Sequence, residues 1–145
     1  MKEQQWENQV WQRVRQPMAR EAENLRPLRR ESMVLAGIYR HLANSLRGSA
    51  REQAAGLYRQ ELENGAMLRG LERLCGADGG PMQPVPPPEA GAARLLEQCF
   101  RSTCRAQTEY LSRSAEPETG TVYRVLADSA AARCAAIARL LGSLG

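Results

Sequence analysis

Apolar positions along the chain recur every three or four residues instead of alternating, which predicts helices throughout and an all-α fold. Four long stripes carry this period. The first runs Leu25, Leu28, Ser32, Leu35, Tyr39, Leu42, Leu46, and the second Ala54, Leu57, Glu61, Asn64, Leu68, Leu71, Cys75. The third runs Ala92, Leu96, Cys99, Thr103, Ala106, Tyr110. A less regular fourth takes Tyr123, Leu126, Ala130, then Arg133 or Cys134, Ile137, Leu140 or Leu141, and Leu144. A short amphipathic helix over residues 1–16 is predicted ahead of them, with Trp6, Val10 and Val14 at i+4 spacing and Trp11 beside them. Pro17 should end it, because the residue before a proline is pushed out of the helical region.

The punctuation between stripes sets the connections. Gly48 is a fitting stop for a helix that starts near Glu21 or Pro27, and Ser49 with Glu52 spells a capping box for the next. Residues 76–88 carry Gly79-Gly80-Pro81 and Pro86-Pro87-Pro88, the composition of an extended, partly stiff connection. Glu116-Pro117-Glu118 reads as a tight turn, and Gly142 as the last stop. Short turns force antiparallel neighbours while a long connection permits a crossover. The expected architecture is therefore an antiparallel four-helix bundle over 20–145, built from two hairpins joined by the 76–88 crossover linker. The hairpins resemble each other faintly. Tyr39-Arg40-His41-Leu42-Ala43 matches Tyr110-Leu111-Ser112-Arg113-Ser114, and Leu68, Leu71, Leu74, Gly76 match Cys134, Ile137, Leu140, Gly142, as a duplicated hairpin would.

At 145 residues the chain is one domain by length, large enough to bury about two-thirds of its unfolded surface. Its net charge of +4, from 20 basic and 16 acidic residues, is interleaved in sign, and Lys2 is the only lysine. No basic run alternates with aromatics, so nucleic acid is not an expected partner. No apolar stretch approaches the ~18 residues of a membrane span and no signal-peptide core opens the chain, so neither membrane contact nor export is expected. A cytoplasmic location follows as the expectation, with Cys75, Cys99, Cys104 and Cys134 reduced core residues. No pair has zinc-finger spacing.

Three segments resemble a ferritin-like protein of the rubrerythrin type: Leu28 through Ala43, Glu61 through Leu71, and Pro117 through Gly142. The resemblance spans about residues 20–142. It implies a bundle holding two irons through one Glu from each of two helices and a Glu-x-x-His from each of the other two. Carboxylates there bridge and neutralise two metal ions, and i, i+3 spacing places Glu and His on one inward face. Carried over by position, the first Glu, seven residues before the helix tyrosine, falls on Ser32, with Glu31 one place off. Its counterpart before Tyr110 falls on Thr103. The first Glu-x-x-His falls on Glu61 to Asn64, or after a one-turn slip on Asn64 and Met67, and the last falls on Ala130 to Arg133. Only Glu61 survives as a plausible ligand. The sole histidine, His41, is outside the pattern.

The expectation is thus a bundle without its di-iron centre or any cofactor, acting as a non-catalytic structural or protein-interaction protein. The vestigial positions are Ser32, Glu61, Asn64, Thr103, Ala130 and Arg133. Because a buried lone carboxylate is costly, Glu61 should meet Arg133 or bond Asn64, Ser32 and Thr103. The alternative is a rubrerythrin-like di-iron oxidoreductase or iron-storage protein with a non-standard ligand set. A third reading gives a small molecule the void left by small Ser32, Thr103 and Ala130. Cys99 and Cys134, with Glu61, could hold a soft metal but are more simply structural, and Tyr39 and Tyr110 read as core tyrosines before radical relays. Trp6, Val10, Trp11 and Val14 are the candidate interaction residues, folding back on the bundle, docking a protein partner, or joining two copies as a homodimer.

Overall fold

The computed structural model describes residues 2–144, apart from the side chains of 2–4, 6–8 and 10–19. Four helices and no strand make up these residues: α1 (Lys2–Ser45), α2 (Gly48–Leu74), α3 (Ala92–Arg113) and α4 (Gly120–Leu144). The separate short helix ending at Pro17 is not found as an element of its own. α1 is one 44-residue helix assigned through Pro17 and Pro27. A proline removes one i→i−4 hydrogen bond and kinks a helix as readily as it ends it, so neighbouring turns carry the element across. The side chains of Trp6, Val10, Trp11 and Val14 lie outside the described residues. The first buried side chain of α1 among those described is Ala22.

Buried side chains follow the stripes because each helix hides one face. Along α2 they include Ala54, Leu57, Glu61, Asn64, Leu68 and Leu71, with Cys75 just beyond. The apolar members gather in two clusters. One joins the C-terminal half of α1 (Leu35, Ile38, Leu42) to the N-terminal halves of α2 (Ala54, Leu57) and α3 (Leu95, Leu96) and the C-terminal half of α4 (Ile137, Leu140). The other joins Ala22 and Leu25 of α1 to Leu68 and Leu71 of α2, Tyr110 of α3, and Tyr123 and Leu126 of α4. Each fully buried leucine contributes about 1.5–3 kcal/mol. This sharing of ends fixes the directions. α1 and α4 run one way, α2 and α3 the other. α1 packs mainly on α2 and α3 on α4; α2 also meets α4, and the α1–α3 seam is the slightest.

Two local expectations change. No side chain caps α2 from Arg47, and Ser49 Oγ instead accepts a hydrogen bond from Gln53 Nε2 at 3.0 Å, so the capping box is not formed. Gly48 turns the chain at φ +62. α4 runs through Gly142 to Leu144. Among the described helices none is long and apolar enough to cross a membrane.

Connection 75–91 returns the chain to the end of the bundle where α2 began, as a strap over the α1–α2 seam. Val85 N donates to the Met33 carbonyl at 3.1 Å. Upstream, Arg29 and Glu72 form a buried pair at 3.3 Å, at 3 % and 1 % exposure. The Arg29 Nη2 also donates to the Gly80 carbonyl, and the Glu72 carboxylate accepts the Gly79 amide at 3.4 Å. Nothing in the stripe pattern marks Arg29 or Glu72, which flank it.

Gly37 is the position that lets the strap lie flat: a Cβ there would overlap the Val85 carbonyl. In an open helix Gly→Ala stabilises by about 1 kcal/mol. Here the sign should reverse, and Gly37→Ala should cost about 1–3 kcal/mol by urea denaturation. A gain in stability would mean that the strap yields without cost.

Candidate functional site

Between the two apolar clusters the four helices meet in a polar waist. α1 supplies Ser32, α2 Glu61 and Asn64, α3 Thr103, and α4 Ala130 and Arg133, all buried. These are the six positions onto which the resemblance carries the metal ligands, and the fold brings them together at mid-height. i, i+3 spacing puts Glu61 and Asn64 on one inward face of α2, and Ala130 and Arg133 on one of α4. Tyr39 and Tyr110 flank the layer as members of the opposite clusters.

Glu61 and Arg133 form the centre. Glu61 Oε2 lies 3.1 Å from Arg133 Nε, and each residue is 1 % exposed. The contact is an ion pair by distance, but its N–H does not point at the oxygen, so neither atom completes a hydrogen bond. The other carboxylate oxygen is better served, since Ser32 Oγ donates to Glu61 Oε1 at 2.8 Å. Arg133 Nη1 donates to Ser129 Oγ at 2.7 Å. Asn64 Nδ2 donates to the Tyr110 hydroxyl at 3.3 Å and lies 3.4 Å from Ser32 Oγ. Asn64 Oδ1, Thr103 Oγ1 and the Tyr39 hydroxyl have no partner among the described residues.

Burial pushes the Glu61 carboxyl above its ordinary value, against the opposing pull of the Arg133 guanidinium and the Ser32 hydroxyl, while Glu31 adds to the rise. Tyr39, beside Cys99 and Thr103, is raised well above the usual phenol range by burial. Cys99 is pushed up to about 12, chiefly by burial. Both groups are therefore held neutral, as core side chains are. Cys134 does not face inward. It is half-buried beside Cys104, and Arg133 is the inward residue of that turn.

Glu61 and Arg133 meet at the centre of this layer. Open space lies to one side, where a groove of about 450 Å³ runs between α1 and α3, walled by Leu28 and Ala106 and floored by Glu61, Asn64, Thr103 and Arg133. Glu31 spans it, accepting a hydrogen bond from Ser102 Oγ at 2.7 Å. At the other end Arg113 binds Glu21 at 2.8 Å and Glu109 at 2.7 Å, and the Tyr123 hydroxyl donates to Glu21. His41 is exposed, away from the waist.

A di-iron centre does not fit these donors. Two metal ions need several bridging carboxylates and imidazoles. The six positions offer one carboxylate, Glu61, and it faces the guanidinium of Arg133. Among the described residues no three His, Cys, Asp or Glu side chains gather closely enough to hold a metal ion. No family model matches the chain, and no curated protein and no solved structure matches it.

Removing one partner of a buried ion pair leaves an uncompensated charge, which costs about 3–5 kcal/mol. Arg133→Ala should lower stability by that amount in urea, and adding Glu61→Leu should recover most of it. Absence of recovery would show that the two are not energetic partners. The loss should also depend on pH. A carboxyl raised in the folded state binds its proton more tightly there than in the unfolded chain. Its contribution is most favourable at acid pH and declines as pH rises through the folded pKa. Without Arg133 that pKa rises further, so the deficit of Arg133→Ala should be larger at about pH 8 than at about pH 4.

Proposed function

We propose that this chain is a ferritin-like bundle of the rubrerythrin type that has exchanged its metals for an internal ion pair, and that it works as a non-catalytic structural or protein-interaction protein. The observation carrying this reading is the Arg133 guanidinium set 3.1 Å from the only carboxylate among the six ligand positions. A guanidinium is fixed in charge and planar, so it compensates a buried carboxylate without any exchangeable ion. The helix order supports the same reading, since two hairpins joined by one long crossover are the ferritin-like arrangement.

The competing function, a di-iron oxidoreductase or iron store with an unusual ligand set, makes a different prediction for metal content. Protein purified from cells grown with added iron should carry no stoichiometric metal by elemental analysis. About two irons per chain would overturn the proposal and establish the alternative.

The interaction role rests on the N-terminal stretch, where the spacing of Trp6, Val10, Trp11 and Val14 predicts an apolar face on a charged helix. Tryptophan is enriched where binding energy concentrates. The partner proposed for this face is a second copy of the chain. Because Trp6 and Trp11 are the only tryptophans, their emission reports on this segment alone. Emission should move to shorter wavelength as protein concentration rises through the dimerisation range, and Trp6→Ser with Trp11→Ser should shift sedimentation towards monomer. Emission and sedimentation that ignore concentration would remove the self-association reading.

A further inference from the structure

Two of the four cysteines face each other across the α3–α4 seam. Cys104 and Cys134 belong to adjacent helices, are only half-buried, and their Sγ atoms lie 3.5 Å apart. Cys75 and Cys99 are buried in the apolar clusters instead. Two sulfurs in van der Waals contact, on elements held together by their own packing, are brought into reaction distance by the fold without a folding partner. Solvent reaches them; the pair at the centre of the waist it does not reach.

We propose that Cys104 and Cys134 form an oxidisable dithiol, a modification site at which a peroxide converts the two thiols into a disulfide tying α3 to α4. This goes beyond the function proposed above and holds whether or not the bundle binds metal. The reaction balances with hydrogen peroxide or an organic hydroperoxide as oxidant. One sulfur attacks the peroxide, an S–O bond forms as the O–O bond breaks, and water, or the alcohol from a hydroperoxide, leaves. The second sulfur then attacks the sulfenic acid, the S–S bond forms, and the departing oxygen leaves as water. Two thiol hydrogens are lost and the peroxide is reduced.

Burial and the neighbouring Cys104 sulfur push the Cys134 thiol up to about 12, and the same disulfide results whichever sulfur attacks the peroxide first. A soft metal ion is the other ligand two thiols could take, and the surroundings oppose it. The positive charge of Arg133 acts on Cys134, and no third donor side chain stands near enough among the described residues. The bond would close a loop across |i−j| = 30 and pin α4, which carries Arg133, to its neighbour at the height of the waist.

Trypsin places the four cysteines on four separate peptides, 74–94, 95–101, 102–105 and 134–139. The reduced full-length chain, treated with excess hydrogen peroxide, quenched, alkylated under denaturing conditions and digested without reductant, should yield 102–105 joined to 134–139. The intact monomer should lose the mass of two hydrogens, and Cys75 and Cys99 should carry the alkyl group. In Cys104→Ser the linked peptide and the mass loss should both vanish. Recovery of Cys104 and Cys134 as separate alkylated or sulfinic peptides from the wild-type chain would overturn the proposal. So would a link to another cysteine or between chains, or persistence of the two-hydrogen loss in Cys104→Ser.

Discussion

The contact between Glu61 and Arg133 constrains everything around it. Two charges taken out of water lose several kcal/mol of hydration each, and their attraction repays that only while they stay together. The bundle must therefore hold α2 and α4 at one axial register, with Ser32 of α1 brought in to serve the second carboxylate oxygen. Well-packed hydrophobic residues in the same volume would be about as stable, or more so. What the pair supplies is selectivity: a slip by one turn strands both charges, whereas two apolar faces would tolerate it.

The polar waist also divides the interior. Above and below it the apolar clusters pack as ordinary core, and the Tyr110 hydroxyl meets Asn64 in the layer between. α1 is clamped to α2 by the strap, through the Arg29–Glu72 pair and the Val85–Met33 hydrogen bond. Towards α3 it makes few contacts, and there the groove opens onto the floor of the waist. Strength on one seam and space on the other follow from the single long connection, which covers only one side.

Much of this was legible because helical periodicity maps directly onto burial. The stripe through α2 named its inward residues almost completely, and it placed two polar residues, Glu61 and Asn64, where only a paired interior tolerates them. Glu61 opposite Arg133 follows from charge balance once both are known to face inward. The connections were less legible. Pro17 signals a stop only when its neighbours cannot carry the helix onward, and Ser49 with Glu52 caps only if the backbone ahead of them takes the capping conformation. Arg29 and Glu72 were missed because each flanks a stripe, where charge ordinarily means solvent. Their burial depends on a strap whose path no local pattern encodes. The nearness of Cys104 to Cys134 depends likewise on the rotation of two helices about their axes.

The seated strap bears on which second hairpin each first hairpin packs against. A protein made of two similar hairpins invites exchange, in which the second hairpin of one molecule settles on the first hairpin of another. Free connections of this length allow such trading. Here the connection is fastened along its own α1, leaving only a few loose residues before α3, so the second hairpin meets its own cradle at a high effective concentration. A link laid down in this way favours pairing within one molecule over an intertwined assembly.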